Sequence, residues 1–369
     1  MRWLRYMLVF VPLAVVTEFF IHNEMLIFIF SAAALVPLAG ILGEATEELA
    51  IHTGPKIGGL LNATLGNAAE LIITIVALRA GNYELVKASI TGSIIGNLLL
   101  ILGFSLLLGG LKHGKQKFDR GLTGMSASMM TLAVIGLIIP TLFELLKEIA
   151  DPNVALDVFN TQVDDPQLRI ISLGVAGVLI VVYILSMIYI LRDGGEGAIS
   201  HTGVDESQEI VHHTAKWDVK TSLGILAVAT IAIVFMSEFL VGVVEPVAKS
   251  LGVRELFLGI IFIPIIGNVA EHLVGVQAAL KNQMDLSMTI SLGSSMQIAL
   301  FVAPLLVFIS LFVGPQQMTM FFSLFEVMVL MLCVIIAAFI SLDGESNWLE
   351  GAMLLGVYVI VALGFFFVG

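Results

Sequence analysis

Charge is scarce in this chain. Of its 369 residues only 12% are Asp, Glu, Lys or Arg, while 58% are hydrophobic; a water-soluble domain usually carries about 25% charged residues. That shortage excludes an ordinary globular enzyme surface. Cysteine is nearly missing too. The single Cys333 rules out an intrachain disulfide and a thiolate metal site. No basic patch is interleaved with aromatics, which removes nucleic acid from the partners. The apolar start, Met1 to Ile21 with Arg2 and Arg5 at its basic end, runs through Phe19-Phe20-Ile21 with no small-residue cleavage site after it. It reads as a retained helix, with Glu18 as an interfacial residue. The formal charge of −12 is unevenly spread and names no partner.

What the chain has instead is apolar length. Mean hydropathy is +1.03, and runs of about 20 apolar residues recur, as bilayer-spanning helices require. The expectation is an all-α polytopic membrane protein with eleven spans, near 3–21, 25–50, 57–79, 84–110, 121–148, 167–191, 217–248, 255–280, 286–313, 317–341 and 347–368. Two connections are long: the acidic segment Asp151 to Asp165 and the polar stretch Arg192 to Lys216. With the N-terminus inside, only Arg79, Lys87, Lys147, Arg169, Lys249 and Arg254 of the 17 lysines and arginines fall outside. The positive-inside rule therefore puts the N-terminus in the cytoplasm, with Asp151 to Asp165 outside; the membrane expected is the plasma membrane of a prokaryote.

A short stretch occurs twice, as Gly66-Asn67-Ala68-Ala69-Glu70 and Gly267-Asn268-Val269-Ala270-Glu271. The offset that pairs Glu70 with Glu271 also pairs, without a gap, Glu44 with Glu245, Gly58 with Gly259, Gly92 with Gly293 and Ser93 with Ser294. Five spans per copy is an odd number, so the copies enter the membrane from opposite sides. This is the inverted-repeat plan of many secondary transporters, with the site at the repeat interface near the midplane. The organisation expected is an N-terminal helix (1–22), a first five-helix repeat (24–191), a cytoplasmic polar linker (192–216) and a second five-helix repeat (217–369).

The duplicated glutamates carry the chemistry. An ionisable residue inside an apolar span is costly and marks a functional site. In the first copy Gly58, Asn62, Gly66, Glu70 and Thr74 recur every fourth residue, with Asn67 beside them. Small members of such a stripe admit a neighbouring helix, and packing alone is the competing reading for Gly58 and Asn62. In the second copy Gly259, Gly267, Glu271 and Gly275 continue the pattern, and Pro264 is expected to bend or break the helix, freeing carbonyls that can serve as ligands where they line a cavity. The next helix of each copy opens with Gly92-Ser93 and Gly293-Ser294. Asn97 lies one turn beyond Ser93; its counterpart is Ile298, with Gln297 alongside, so the site is only pseudo-symmetric. Asn67, Asn268, Ser93, Ser294, Asn97 and Gln297 are the candidate neutral ligands around Glu70 and Glu271. His272 projects about 100° away from Glu271 and reads as a hydrogen-bonding group in the bundle, with pH sensing or gating as the alternative. Glu44, beside Glu47 and Glu48, and Glu245 read as solvated helix caps or as a cation-attracting vestibule.

Two carboxylates with amide, hydroxyl and backbone oxygens suit a hard divalent cation such as calcium. No His or Cys cluster points to zinc or copper. An empty pair of close carboxylates in a low dielectric favours neutralisation, so protons compete with the cation for the same oxygens and the pair titrates as a unit. Such competition is the physical basis of antiport. The ions are cargo, and no cofactor is called for.

These residues resemble a known family. Asn62 to Ile72 is similar to the first signature repeat of the calcium/proton antiporters (the CAX family of the calcium/cation antiporter superfamily), and Pro264 to His272 to the second. Gly92 to Asn97, Gly293 to Gln297 and Glu44 to Pro55 also look like motifs of that family. The resemblance covers Glu44 to Leu305. It implies one helix plus two inverted five-helix repeats, and Ca²⁺/H⁺ exchange by alternating access with both repeat glutamates as shared ligands. Family members often carry a strongly acidic segment between the halves; here Asp193 to Glu209 is only moderately acidic. A sodium/calcium exchanger is the alternative within the superfamily, and would call for hydroxyl residues where Pro264 and Ile265 stand. A cation channel would not need a tight paired-carboxylate site, and an intramembrane enzyme would need a nucleophile or a His-Glu-x-x-His set, which is missing. The number of copies in the assembly is left open.

Overall fold

The computed structural model describes residues 5–150, 165–192 and 215–367. The acidic segment 151–164 and the linker 193–214, with the expectations attached to them, lie outside the described residues, as do the side chains of 54–57, 59, 60, 62, 63, 148, 150, 190 and 191, Asn62 among them. The described residues are almost all helical. In order it forms α1 (Met7–Ile21), α2 (Glu24–Leu65), α3 (Ala68–Arg79), α4 (Tyr83–His113), α5 (Arg120–Ala150), α6 (Pro166–Arg192), α7 (Val219–Leu251), α8 (Glu255–Gly267), α9 (Val269–Leu280), α10 (Met284–Ile309), α11 (Leu324–Asp343) and α12 (Trp348–Phe367). Two short strands not expected from the sequence, β1 (Gln116–Lys117) and β2 (Glu345–Ser346), pair antiparallel between α4 and α12.

Among the described residues eight helices are long and apolar enough to cross a membrane, or nine when the bent pair α8–α9 counts as one. Two of the eleven expected spans differ in kind. Within the described residues the α1 helix, Met7–Ile21, falls short of the roughly 17–25 residues a span needs. The second is the stretch through Gly58 and α3, which is divided at Gly66-Asn67. Helical backbone runs unbroken through α2, yet it cannot be straight. A Cβ built on Gly58 would lie 2.6 Å from the carbonyl oxygen of Ala50, whereas residues eight apart in a straight helix are separated by about 12 Å. The chain therefore doubles back between them, and the stretch through Gly58 leaves the direction of the span Glu24–Thr53. The helix expected from 317 begins at Leu324. Its start is set by a capping box in which Ser323 and Glu326 satisfy each other's backbone N–H groups.

The packing repeats with the sequence. The first helices of the two halves, α2 and α7, lie against each other, as do α5 and α11; α4 packs on α12 just as α10 packs on α6. The outward surfaces of α6 and α12 are apolar, with Val178, Val181, Leu185, Val359 and Ile360 exposed, as expected of helices facing lipid. Two rims close the bundle. On the linker face, Glu48 accepts the backbone N–H groups of Lys216 (2.6 Å) and Trp217 (3.3 Å), and Lys112 and His113 meet the carbonyl of Leu280 at the end of α9. There too Asp218 caps α7, and its hydrogen bonds with Thr221 hold its carboxyl below the usual range. On the far face Tyr83 donates to the Gln316 carbonyl (2.5 Å) and Asn82 to Glu255 (2.8 Å). Lys87, counted among the outer loop charges, is instead 2% exposed inside α4, over the ring of Phe321. It is no topological marker, and without it the charge bias toward the linker face is larger.

Candidate functional site

Both copies of the motif interrupt their helix at the asparagine. Asn67 has φ −94° and ψ 25° between α2 and α3, and Asn268 has φ −95° and ψ 9° between α8 and α9, which meet at 63°. Pro264 was expected to make the break, but it sits near the start of a helical run, after a π-turn at Leu258–Phe262 that absorbs its missing N–H. Its carbonyl matters more: it accepts both the backbone N–H and the side-chain amide of Asn268, each at 3.0 Å. The first copy breaks at the same place with no proline at all.

The interruption decides where the glutamates stand. Glu70 and Glu271 each fall in the first turn of a new half-helix, α3 or α9. Unpaired N–H groups there carry partial positive charge, which favours a carboxylate by about 0.3–1 kcal/mol, more when partly buried. Glu70 is buried and Glu271 half-buried, and the two are near enough to repel.

The asparagines cross between the halves. Asn268 donates to Ser93 Oγ on α4 (3.1 Å), and Ser294 on α10 donates to Asn67 Oδ1 (3.0 Å); the repeat offset carries one contact onto the other. Asn67 also donates to Gln297 Oε1 (2.7 Å), and Asn97 to Ser294 Oγ (2.9 Å). Hydrogen bonds thus join seven of the eight expected residues in two groups, Asn268 with Ser93 and Glu271 with Ser294, Asn67, Asn97 and Gln297, while Glu70 stands against Gly267. The carboxylates are not equivalent. Glu271 accepts from Ser294 at 2.6 Å, whereas Glu70 Oε1 is buried with no hydrogen-bond partner, like Asn97 Oδ1 and Asn268 Oδ1. Unmet acceptor oxygens on three residues, one of them a carboxylate, are what a bare cation site requires. Gly267 makes the space: a Cβ there would sit 3.0 Å from Glu70 Oε1. Among the described residues no three His, Cys, Asp or Glu side chains converge on a metal position; what this cluster can offer a cation is two carboxylates and neutral oxygens. A π-turn lies at the same place in both helices, Gly96–Ile101 in α4, which includes Asn97, and Ile298–Val302 in α10, just after Gln297.

The remaining candidates lie apart. Glu44 pairs with Arg5 (3.2 Å) and Lys216 (3.5 Å) on the linker face. Glu245 pairs with Lys249 and, with Glu84, Glu238 and Glu255, lines a cavity of about 610 Å³ on the far face that none of the central residues borders. His272 Nε2 is buried without a partner. Sequence reasoning missed Glu48 as the clasp on the second half and the fully buried Glu326, which accepts from Thr91 at 2.9 Å. The Ser-x-x-Glu pattern at Ser323 was the available signal for the latter.

Access is uneven too. Gly92 of α4 is closed against α8: a Cβ on it would run into the Ile260 carbonyl and come within 2.6 Å of Pro264, and one on Gly259 within 2.5 Å of Ala88. Its counterpart Gly293 is half-exposed, with nothing within 4 Å among the described residues.

A family model described as sodium/calcium exchanger protein matches residues 23–192 and 221–367, one match to each half. A Ca(2+)/H(+) antiporter of Synechocystis sp. is 43% identical, covering 98% of this chain and 96% of its own, and one of Aphanothece halophytica is 42% identical, covering 98% and 95%. The chain belongs to the calcium/proton antiporter family. The solved structure of the selenium-substituted Ca2+/H+ antiporter protein YfkE superposes on it with a TM-score of 0.80, at 34% identity over 100% of each chain. The family is one of polytopic helical transporters, which agrees with the inward-turned polar residues and lipid-facing apolar surfaces described above.

Proposed function

We propose that the protein exchanges Ca²⁺ for H⁺ by alternating access, with Glu70 and Glu271 holding the cation and the protons in turn. The observation that carries this reading is the crossed arrangement of two half-helix starts, each presenting one glutamate to a space lined by unmet oxygens of the other half. Calcium bound there takes charge from both carboxylates; without it the pair is neutralised by protons. Ser294 has one proton and two acceptors, Glu271 and Asn67, so its bond to Glu271 can respond to whether that carboxylate is charged. Ca²⁺ and H⁺ are cargo, and no cofactor or bond-making reaction enters.

In this reading the α4–α8 seam closes the far face, and the half-exposed face of α10 at Gly293 and Gln297 leaves the site accessible from the linker face. We take the linker face as cytoplasmic, in the plasma membrane of a prokaryote, and 24–191 and 217–369 as the two inverted repeats. Purified protein in proteoliposomes is expected to move calcium under an imposed pH gradient without sodium. Calcium uptake driven by a sodium gradient at equal pH would instead make it a sodium/calcium exchanger. Orientation has its own test. In a Cys333→Ser background, Lys117→Cys on the linker face should react with an impermeant thiol reagent only from the cytoplasm, and Gln316→Cys only from outside; the reverse pattern would invert the assignment.

A further inference from the structure

The α10 helix has two polar faces, and the site described above uses one of them incompletely. Ser287, Ser291 and Ser294 are spaced i, i+4 and i+7, which puts them on one side of the helix. The last of them is bonded to Glu271. Ser287 and Ser291 are 0% exposed, and neither hydroxyl has a hydrogen-bond partner. The usual refuge for a serine in an apolar helix is the carbonyl one turn back, and Ser295 of this same helix takes it, donating to Ser291 O at 2.9 Å. Ser287 and Ser291 do not. A third buried hydroxyl without a partner, Ser105 on α4, comes from a different helix; it and Ile290 of α10 lie 3.9 Å and 3.7 Å from a Cβ built on Gly275 of α9. The stripe is not demanded by the fold, because the matching positions in α4 are Val86 and Ile90. A separate face of α10, with Leu286, Thr289, Gly293 and Gln297, is half-exposed.

A buried hydroxyl left unmet costs about 1–3 kcal/mol. Water meets it where two to four polar groups are in reach, and a hydroxyl both donates and accepts, so hydroxyls in series with water can pass a proton. We propose that Ser287 and Ser291, with water, form the proton route between the linker face and Glu271, separate from the half-exposed face of α10 that admits the cation. A proton leaving the Glu271 carboxyl passes to the Ser294 oxygen side of the line as each O–H in turn hands its own proton outward, and a hydronium forms at the linker face; the carboxylate left behind is free for calcium, and the reverse sequence reprotonates it. The inference rests on the role given to Glu271 above.

The test compares two transport modes in proteoliposomes. Ca²⁺/H⁺ exchange needs proton movement, whereas exchange of radiolabelled calcium for calcium at equal pH does not. Ser287→Ala/Ser291→Ala should slow the first by roughly tenfold, below the hundredfold typical of a direct acid–base group, and leave the second unchanged; Ser291→Thr, which keeps the hydroxyl, should restore much of the rate. In the unmodified protein, heavy water should slow Ca²⁺/H⁺ exchange and spare calcium/calcium exchange. Unaltered proton-coupled flux in the double variant, equal losses in both modes, or the same solvent isotope effect on both modes would overturn the proposal. Glu271→Gln separates it from the reading it rests on: loss of both modes is expected there, and retention of both would remove the parent reading itself.

Discussion

Glu70→Gln and Glu271→Gln are each expected to remove nearly all pH-driven calcium transport while leaving the fold intact. The change is almost isosteric. Glutamine at 271 can still accept the Ser294 hydrogen bond now made at 2.6 Å, and glutamine at 70 keeps its place against Gly267. What is lost is charge, at side chains that are buried (Glu70) or half-buried (Glu271). Removing one partner of a buried charge interaction costs on the order of 3–5 kcal/mol, which is more than a hundredfold in cation affinity. Asn97→Ala removes a neutral oxygen and should weaken calcium binding far less, because a neutral hydrogen-bonding group contributes about 1 kcal/mol. If the polar stripe only packed helices, the order would reverse: Glu→Gln would be mild and glycine substitutions severe. Calcium flux and equilibrium calcium binding on monodisperse variants decide between them, and near-normal flux in either Glu→Gln variant would end the shared-site mechanism.

The candidate site was readable from the sequence because its residues come in two local runs at one offset. Glu70 with Asn67, and Glu271 with Asn268, announce themselves by polarity in an apolar setting. Their pairing across the halves was not readable. Asn268 to Ser93 and Ser294 to Asn67 join residues remote in the chain, and no local pattern specifies which serine meets which asparagine. The helix breaks were half legible. Proline drew attention to the second copy, yet the asparagine ends the helix in both, with nearly the same backbone angles. Lys87 misled because a lysine near a span end normally belongs to the loop, whereas here it turns inward beneath Phe321. Glu44 and Glu245 share a repeat position but not an environment, one clasping the linker face and the other lining the far-face cavity. Equivalence in sequence does not carry over to equivalence in one conformation: Gly92 is packed tightly against α8 while its counterpart Gly293 is half-exposed.

That asymmetry sets the second large effect. Gly92→Ala should lower stability by about 3 kcal/mol, the upper end for an overpacked interface. The added Cβ meets the backbone carbonyl of Ile260 and the Pro264 ring rather than the end of a flexible side chain, and neither can step aside without moving α8. Gly293→Ala should be nearly silent in thermal unfolding, since its surroundings are empty within 4 Å among the described residues. It should nevertheless slow turnover. If the repeats exchange roles, the seam that Gly92 now makes with α8 reappears between Gly293 and the stretch of α2 around Gly58, and the same steric conflict arises there. Gly293→Ala is then expected to bind calcium from the linker face with unchanged affinity and to lose most transport, while Gly92→Ala loses stability first. Equal thermal losses in the two variants would mean that both seams are closed in the resting protein. Full transport by Gly293→Ala would show that the inner seam never closes on that glycine, and the exchange of roles between the repeats would have to run through other residues.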